Sequence, residues 1–300
     1  KSGNAKQIWK EIEEVLKVRN VSYQAFVSEY RGHAGKLAAE ICAMDDNDIC
    51  LVAVGGDGTA NEVINGITDF EKVRFGVIPT CSGNDLARGL SLSKDPKNGA
   101  IHILNAMKKS REDTWCMDLG EVNFGEKKRL FAISAGIGLD ALVCKKALKS
   151  TIKDILNKIR LGKLTYLVLT VQSLFTMQTA DAEIFFDREE GLQKKRMIFT
   201  AAMNFKAEGG GVPMAPAASA CDGKLSFCEA AGIPKWRTFL CLPFLVAAKH
   251  TSIHGFSVTD AKDCTIRLSR PMVVHADGEY CGEVTEVHFH CLPGKLRVLK

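Results

Sequence analysis

A short apolar run over residues 49–54 leads straight into Gly55-Gly56-Asp57-Gly58-Thr59, after which residues 59–67 take up a helical period. A buried strand that delivers three glycines and an acid to a helix start leaves few folds open. The glycines let backbone N–H groups approach phosphate oxygens closely. The helix N-terminus adds a field that favours anions. An acid in such a loop makes sense when a cation sits between it and a phosphate, as Mg²⁺ does in phosphoryl-transfer sites. The plainer alternative is a tight strand-to-helix turn, with Asp57 or Thr59 merely capping the helix.

A second strand, over residues 74–78, ends at Pro79 and runs into Thr80-Cys81-Ser82-Gly83-Asn84-Asp85-Leu86-Ala87-Arg88. It repeats the arrangement with hydroxyls, a glycine, an amide and a carboxylate at another helix start. Loops at the carboxyl ends of neighbouring parallel strands converge on one crevice, so the pair argues against a simple turn. There is no G-x-x-x-x-G-K-[ST] P-loop, and no G-x-G-x-x-G in a dinucleotide-binding context. Helical periods at 5–18 and 33–44, with strand signals at 21–28, 49–54 and 74–78, complete an alternation that implies a parallel sheet covered by helices.

Beyond Trp115 the grammar changes. Strand signals at 116–122 and 130–135 are followed by helices at 139–156 and 164–176. Further strand signals lie at 182–186, 197–204, 225–229, 257–268, 272–275 and 284–291, interrupted by a helix at 236–249. Many strands in succession indicate a sandwich or barrel rather than further βαβ units. At 300 residues the chain holds about two domains. The expected division is an α/β nucleotide-binding domain over 1–113, lacking its first strand, and a mostly antiparallel β-sandwich over 114–300 whose last residues return to the first domain. The apolar fraction of 46% and charged fraction of 25% exclude a disordered chain.

The eleven cysteines form no C-x-x-C pair, and most lie in apolar runs, as free thiols in a reducing cytosol do. His288, His290 and Cys291 come nearest to a zinc set. The two imidazoles share one strand face with no second pair of ligands, so no zinc site is expected. No apolar stretch approaches the ~20 residues of a bilayer span. Residues 145–163 carry Lys145, Lys146, Lys149, Lys153, Lys158, Arg160 and Lys163 against Asp154 alone, a local +6 in a chain whose total is +5. An interleaved apolar stripe makes this a candidate for an anionic membrane surface, against the alternative of a solvated helix face. Nucleic-acid motifs and interleaved aromatics are missing, so no nucleic-acid partner is expected.

The two glycine-containing segments together resemble the diacylglycerol kinase catalytic family of lipid kinases, especially its soluble bacterial branch, related to sphingosine and ceramide kinases. Gly55-Gly56-Asp57-Gly58-Thr59-Ala60-Asn61-Glu62-Val63 resembles the family's G-G-D-G-T-x-N-E-V signature, and residues 79–88 resemble P-x-G-T-x-N-D-x-A-R. Further matches follow in order: residues 134–141, Asn204 with Gly209-Gly210-Gly211, Pro213 and Pro216, Asp222-Gly223-Lys224-Leu225, and Asp277-Gly278-Glu279. Two departures stand out. The family's first strand and N-P dipeptide are missing, with Ser2-Gly3 remaining from that loop. Cys81-Ser82 replaces Gly-Thr, adding a side chain where the backbone normally approaches nucleotide.

The resemblance implies a fold of the NAD kinase and diacylglycerol kinase type and an ATP- and Mg²⁺-dependent transfer to a lipid hydroxyl, most simply that of diacylglycerol. It implies ATP phosphates resting on Gly55, Gly56, Asp57, Gly58, Thr59, Ala60, Asn61 and Glu62, with Ser2, Gly3, Ser28, Ser82, Asn84 and Asp85 nearby. Asp57 would help organise Mg²⁺. A further divalent ion would sit at Asp222 with oxygens of Ser219 and Lys224, where an Asp-Gly turn is the alternative. Asp277 and Glu279, two apart, would share one side of an extended strand, with Glu279 the favoured general base and Asp277 its metal-linked or orienting partner. The setting implied is cytoplasmic, with peripheral membrane contact, and a homodimer is left open. An NAD kinase-type enzyme, or a kinase-like regulator without turnover, remains the alternative.

Overall fold

A computed structural model describes residues 2–81, 83–149, 162–187 and 190–300. The chain divides into two compact units, Lys1–Met117 with Gly294–Lys300, and Asp118–Pro293. The cut thus falls a few residues beyond position 113.

In the first unit, β1 (Ile49–Gly55) and β2 (Val73–Pro79) pair in parallel from Ile49↔Val73 to Gly55↔Pro79. The tail of β12 (Glu279–Val298) adds a third parallel strand through Arg297↔Arg74 and Val298↔Phe75. Helices α1 (Ser2–Val18) and α5 (Pro96–Ala106) cover one side of this sheet, where Ile12, Ile103 and Ala106 pack with Ile78 and Leu299. α2 (His33–Cys42) packs against α3 (Asp57–Gly66), and a short α4 (Asp85–Gly89) follows β2.

The strand expected at 21–28 does not form. Residues 21–29 are irregular and largely exposed, with Val27 79% exposed. Alternating apolar residues make a strand only when an edge pairs with them, and this stretch pairs with none of the described strands. Tyr23 is held instead by its hydroxyl, which donates to Glu13 at 3.0 Å, and by an edge contact with Trp9.

The second unit is a mainly antiparallel β-structure, with strand order β12-β11-β5-β8-β9-β10. Its strands are β3 (Trp115–Phe124), β4 (Lys127–Phe131), β5 (Ser134–Gly138), β6 (Ala180–Phe186), β7 (Leu192–Met197), β8 (Phe199–Met203), β9 (Leu225–Ala230), β10 (Phe256–Ala261), β11 (Asp263–Ala276) and most of β12. Helices α6 (Leu139–Lys149), α7 (Gly162–Thr176) and α8 (Lys235–Val246) accompany them. One apolar cluster, including Phe131, Ile137, Phe227 and Phe289, forms the core.

Two expected strands are each two, and a third, 197–204, begins on the last residue of β7, a strand the sequence did not show. Residues 130–135 break between β4 and β5, 197–204 between β7 and β8, and 257–268 between β10 and β11. At each break the chain changes partner, from β3 to β8, from β6 to β9, and from β9 to β12. Amides at such corners lose their ladder and need another acceptor. Carboxylates supply it. Asp187 Oδ1 accepts from the amides of Lys262 and Asp263 at 2.9 and 2.8 Å, and Asp181 from that of Arg196 at 2.9 Å.

Candidate active site

β1 ends at Gly55, and Gly56, at φ −100° and ψ −175°, is the N-cap of α3. The helix therefore begins at Asp57, not at Thr59, and by helix geometry its first amides lack intrahelical acceptors. Thr59 is the third helical residue, packed under Gly55, where a Cβ would fall 2.7 Å from its Cβ and Oγ1. The Asp57 carboxylate reaches across to the second signature, where Oδ2 accepts from the amide of Asp85 at 2.9 Å and Oδ1 from that of Leu86 at 3.1 Å. It thus caps α4 from another part of the chain, joining the two loops. Burial pushes the Asp57 carboxyl up, against the pull of the Leu86 amide and Arg88.

Asn84 stands in the left-handed region at φ 49°, and its amide donates to the carbonyl of Cys81. Its Oδ1 is buried without a hydrogen-bond partner among the described residues. An acceptor in that state suits a ribose hydroxyl or an ion-bound water. Asp85 is buried and paired with Arg88, which also donates to the carbonyl of Gly83 at 3.1 Å. Cys81 is exposed, and its Sγ occupies the space beside Gly56 where a Cβ would come within 3.0 Å. Glu62 accepts from the amide of Gly32 at 2.8 Å, tethering the loop ahead of α2. Ala60 and Asn61 are buried, so their side chains face the core. Ser28 is exposed in the irregular segment. Ser2 and Gly3 lie in α1, while their side chains, and Ser82 as a whole, fall outside the described residues.

In the second unit Asp277 and Gly278 do not lie in an extended strand. At φ 47° and 80° they form the turn between β11 and β12, closed by the pair Ala276↔Glu279. The Asp277 carboxylate turns back onto the β4–β5 corner and accepts from the amides of Ala132 (2.8 Å), Ile133 (2.8 Å) and Ser134 (3.1 Å). The expectation that Asp277 and Glu279 share one side of an extended strand is therefore corrected, because the left-handed backbone of Asp277 and Gly278 makes a turn between two strands instead. Glu279 is half-buried at the first position of β12.

Behind this turn lies a partly buried cluster that the sequence did not single out. His275 Nε2 meets Asp140 Oδ2 at 3.1 Å, its Nδ1 accepts from the amide of Gly278 at 3.2 Å, and Glu208 bonds the Ser134 hydroxyl. One ligand atom each of Asp140, Glu208 and His275 lies within 4.8 Å of the others. Gly136 makes room, since a Cβ there would fall 1.8 Å from Asp140 Oδ2. Burial pushes the Glu208 carboxyl up. Burial pulls the His275 imidazole down, but Asp140, Glu208 and Asp277 outweigh it and its pKa rises. Asp140 fell inside a matched motif, and His275 sits two residues before Asp277. Glu208 gave no signal of its own.

Asp222 is exposed and closes its own turn by accepting from the amide of Lys224 at 3.1 Å. The buried Asp118 holds the same turn from beneath, accepting from Gly223 N–H at 2.7 Å. Ser219 Oγ lies 3.5 Å from Cys221 Sγ. His288 and His290 both face Asp263 Oδ1, at 3.3 and 2.6 Å. Lys145 bonds Glu283 at 2.6 Å and lies over the Tyr280 ring, and the Glu283 bond raises its pKa. Lys146 donates to the Thr176 hydroxyl at 3.1 Å. These two lysines are engaged within the fold, whereas the side chain of Lys149 and all of Lys153 fall outside the described residues.

Residues 1–117 match the diacylglycerol kinase catalytic domain, and residues 134–300 match the YegS C-terminal NAD kinase beta sandwich-like domain. A Bacillus subtilis protein provisionally named lipid kinase YtlR is 29% identical over 300 residues, covering 98% of this chain and 94% of its own. A diacylglycerol kinase of the same organism is 27% identical over 251 residues, covering 82% and 75%. In fold, a Bacillus anthracis protein provisionally called a diacylglycerol kinase matches with a TM-score of 0.74 at 20% identity, over 99% of this chain and 92% of the other. An NAD kinase from Archaeoglobus fulgidus, solved with ATP, matches at 0.53 and 14% identity, over 97% and 88%. With both of its units matched, the chain belongs to the diacylglycerol kinase family of lipid kinases and is a kinase-type phosphotransferase.

Proposed function

We propose that this chain transfers the γ-phosphoryl group of ATP to the free hydroxyl of diacylglycerol, giving phosphatidic acid at a membrane surface that the protein meets peripherally. The observation carrying this reading is the clamp between the two signatures. Asp57, bonded to the amides of Asp85 and Leu86, holds two phosphate-suited loops in one fixed relation. The free amides at the start of α3 suit phosphate oxygens, and Asn84 Oδ1 suits a donor on the nucleotide or on an ion's water shell.

Phosphoryl transfer asks the protein for positioning, charge neutralisation and a proton acceptor. Mg²⁺ would neutralise the phosphates, and Asp57 keeps a spare lone pair on each oxygen with which to hold such an ion's water. Asp222, with the oxygens of Ser219 and Lys224, is the place for a further ion. The lipid hydroxyl oxygen forms the new bond to phosphorus as the bond to the ADP oxygen breaks, and its proton passes to Glu279. Asp277 orients that carboxylate through the turn it anchors.

The test combines radiolabelled ATP with diacylglycerol in mixed micelles, beside a parallel reaction containing NAD. Labelled phosphatidate supports the proposal, and labelled NADP or no product refutes it. Glu279→Gln is expected to abolish turnover with ATP affinity nearly intact. Undiminished kcat in that variant would remove Glu279 from the role.

A further inference from the structure

Helix α8 is apolar on both faces. Thr238, Cys241 and Leu245 turn inward and are buried. The opposite face, where solvent favours charge, carries Trp236, Phe239, Leu240, Pro243 and Phe244. Their i, i+3, i+4, i+7, i+8 spacing makes one stripe. Its four large side chains are 40–60% exposed. The stripe continues onto α7, where the half-exposed Phe175 ring lies 6.1 Å from that of Phe239 and the Lys235 ammonium bonds the Phe175 carbonyl at 3.3 Å. A continuous exposed apolar patch of this kind marks an interaction surface.

Charge selects the occupant. Residues 231–259 contain Lys235, Arg237 and Lys249 but no acid, and α7 contains Lys163 but no acid. Aromatic and aliphatic side chains on a helix whose charges are all positive fit an anionic lipid surface, with the apolar stripe among the acyl chains and the exposed Arg237 and Lys249 at the headgroups, while Lys235 is held by the carbonyls of Phe175 and Met177. A second copy docking through the same patch would set these cations against one another. Lys145 and Lys146, which the sequence offered for this contact, are held by Glu283 and Thr176.

We infer that the exposed face of α8, joined by the end of α7, is the membrane-inserting surface of this protein. The inference builds on the lipid-kinase reading, since a substrate that stays in the bilayer requires a docking face.

Vesicles of phosphatidylcholine and phosphatidylglycerol, with and without brominated acyl chains, provide the test. The wild-type chain should sediment with the vesicles, and brominated lipid should quench its tryptophan emission. Trp236→Phe should still bind but lose that quench. The double variant Phe239→Ser with Leu240→Ser should lose roughly 30-fold in partitioning, as expected for two half-buried apolar side chains. Its melting temperature should fall by only a few degrees, because Leu240 faces solvent and Phe239 gives up its contact with the Phe175 ring, so partitioning is compared at a temperature where both proteins are folded. Undiminished partitioning of the double variant overturns the inference, as does a quench that survives Trp236→Phe. A dimer in light scattering that the double variant dissolves would also overturn it. Phosphorylation of a short-chain, water-soluble diacylglycerol reads the kinase activity separately, and the double variant should retain it. If the wild type fails to turn over that substrate yet still binds vesicles, the kinase reading falls and the membrane face stands.

Discussion

Replacing Asp277 by Asn separates an architectural role from a chemical one. Its carboxylate accepts three backbone amides, from Ala132, Ile133 and Ser134, at the corner where the chain leaves β4 for β5. Hydrogen bonds to a charged acceptor are worth about 1.5–3 kcal/mol each. Asparagine keeps one neutral oxygen for one side of the fork and turns an NH₂ toward amides on the other. The weakened bonds, together with at least one unsatisfied buried amide, should cost about 3–5 kcal/mol. For a unit of this size that lowers the melting temperature by about 10 °C. Scanning calorimetry of Asp277→Asn beside Glu279→Gln is the assay, with turnover measured well below both transitions. The expected result is a large loss of stability in the first variant and almost none in the second. A wild-type melting temperature in an inactive Asp277→Asn protein would refute the clamp and make Asp277 a chemical residue.

The remaining predictions concern pH, packing and a thiol. His275 is raised above its ordinary 6.5 in the folded chain, so its stabilising share is complete below that pH and is lost as pH climbs through the folded value. Glu208, also raised, acts in the same direction from 4.5 upward. The melting temperature should therefore fall as buffers are taken above pH 6.5, and His275→Gln should flatten that slope; an unchanged slope would count against it. At Gly66, a Cβ would fall 2.1 Å from the carbonyl oxygen of Gly35, where α2 and α3 meet backbone to backbone. Gly66→Ala should destabilise the protein by about 2–4 kcal/mol, since backbone must move to admit it; chemical denaturation measures this. Cys81 is exposed against Gly56. Its alkylation should block nucleotide binding, ATP should slow the alkylation, and Cys81→Ser should be immune to the block.

The first unit's architecture was legible because its signals are local. Apolar strands ending in glycine loops, followed by helical periods, specify β1, α3 and β2 within a few residues, and the two signatures name the family. Residues 21–28 show the limit. Tyr23, Ala25 and Val27 alternate as a strand would, but a strand exists only where an edge accepts it, and none of the described strands does. The second unit yielded most of its strands but not β7, and it separated 257–268 from 272–275 where β11 is continuous. The breaks were missed because Ile198 and Lys262 differ from strand residues only in which neighbour the chain has reached.

The sequence by itself determined the glycine loops, the family and the positions of Asp57, Asp277 and Glu279. Tertiary structure decided what those carboxylates touch. Asp57, Asp118, Asp181, Asp187 and Asp277 each accept backbone amides from distant or neighbouring turns and corners. The Asp140–His275–Glu208 cluster is assembled from three elements more than sixty residues apart in sequence. The physical reason is that a motif records which groups are present, whereas an amide stripped of its ladder takes whichever acceptor the fold brings within hydrogen-bond reach. The outward face of α8 is of the same kind, because its apolar stripe becomes a surface only when Thr238, Cys241 and Leu245 have taken the inward side.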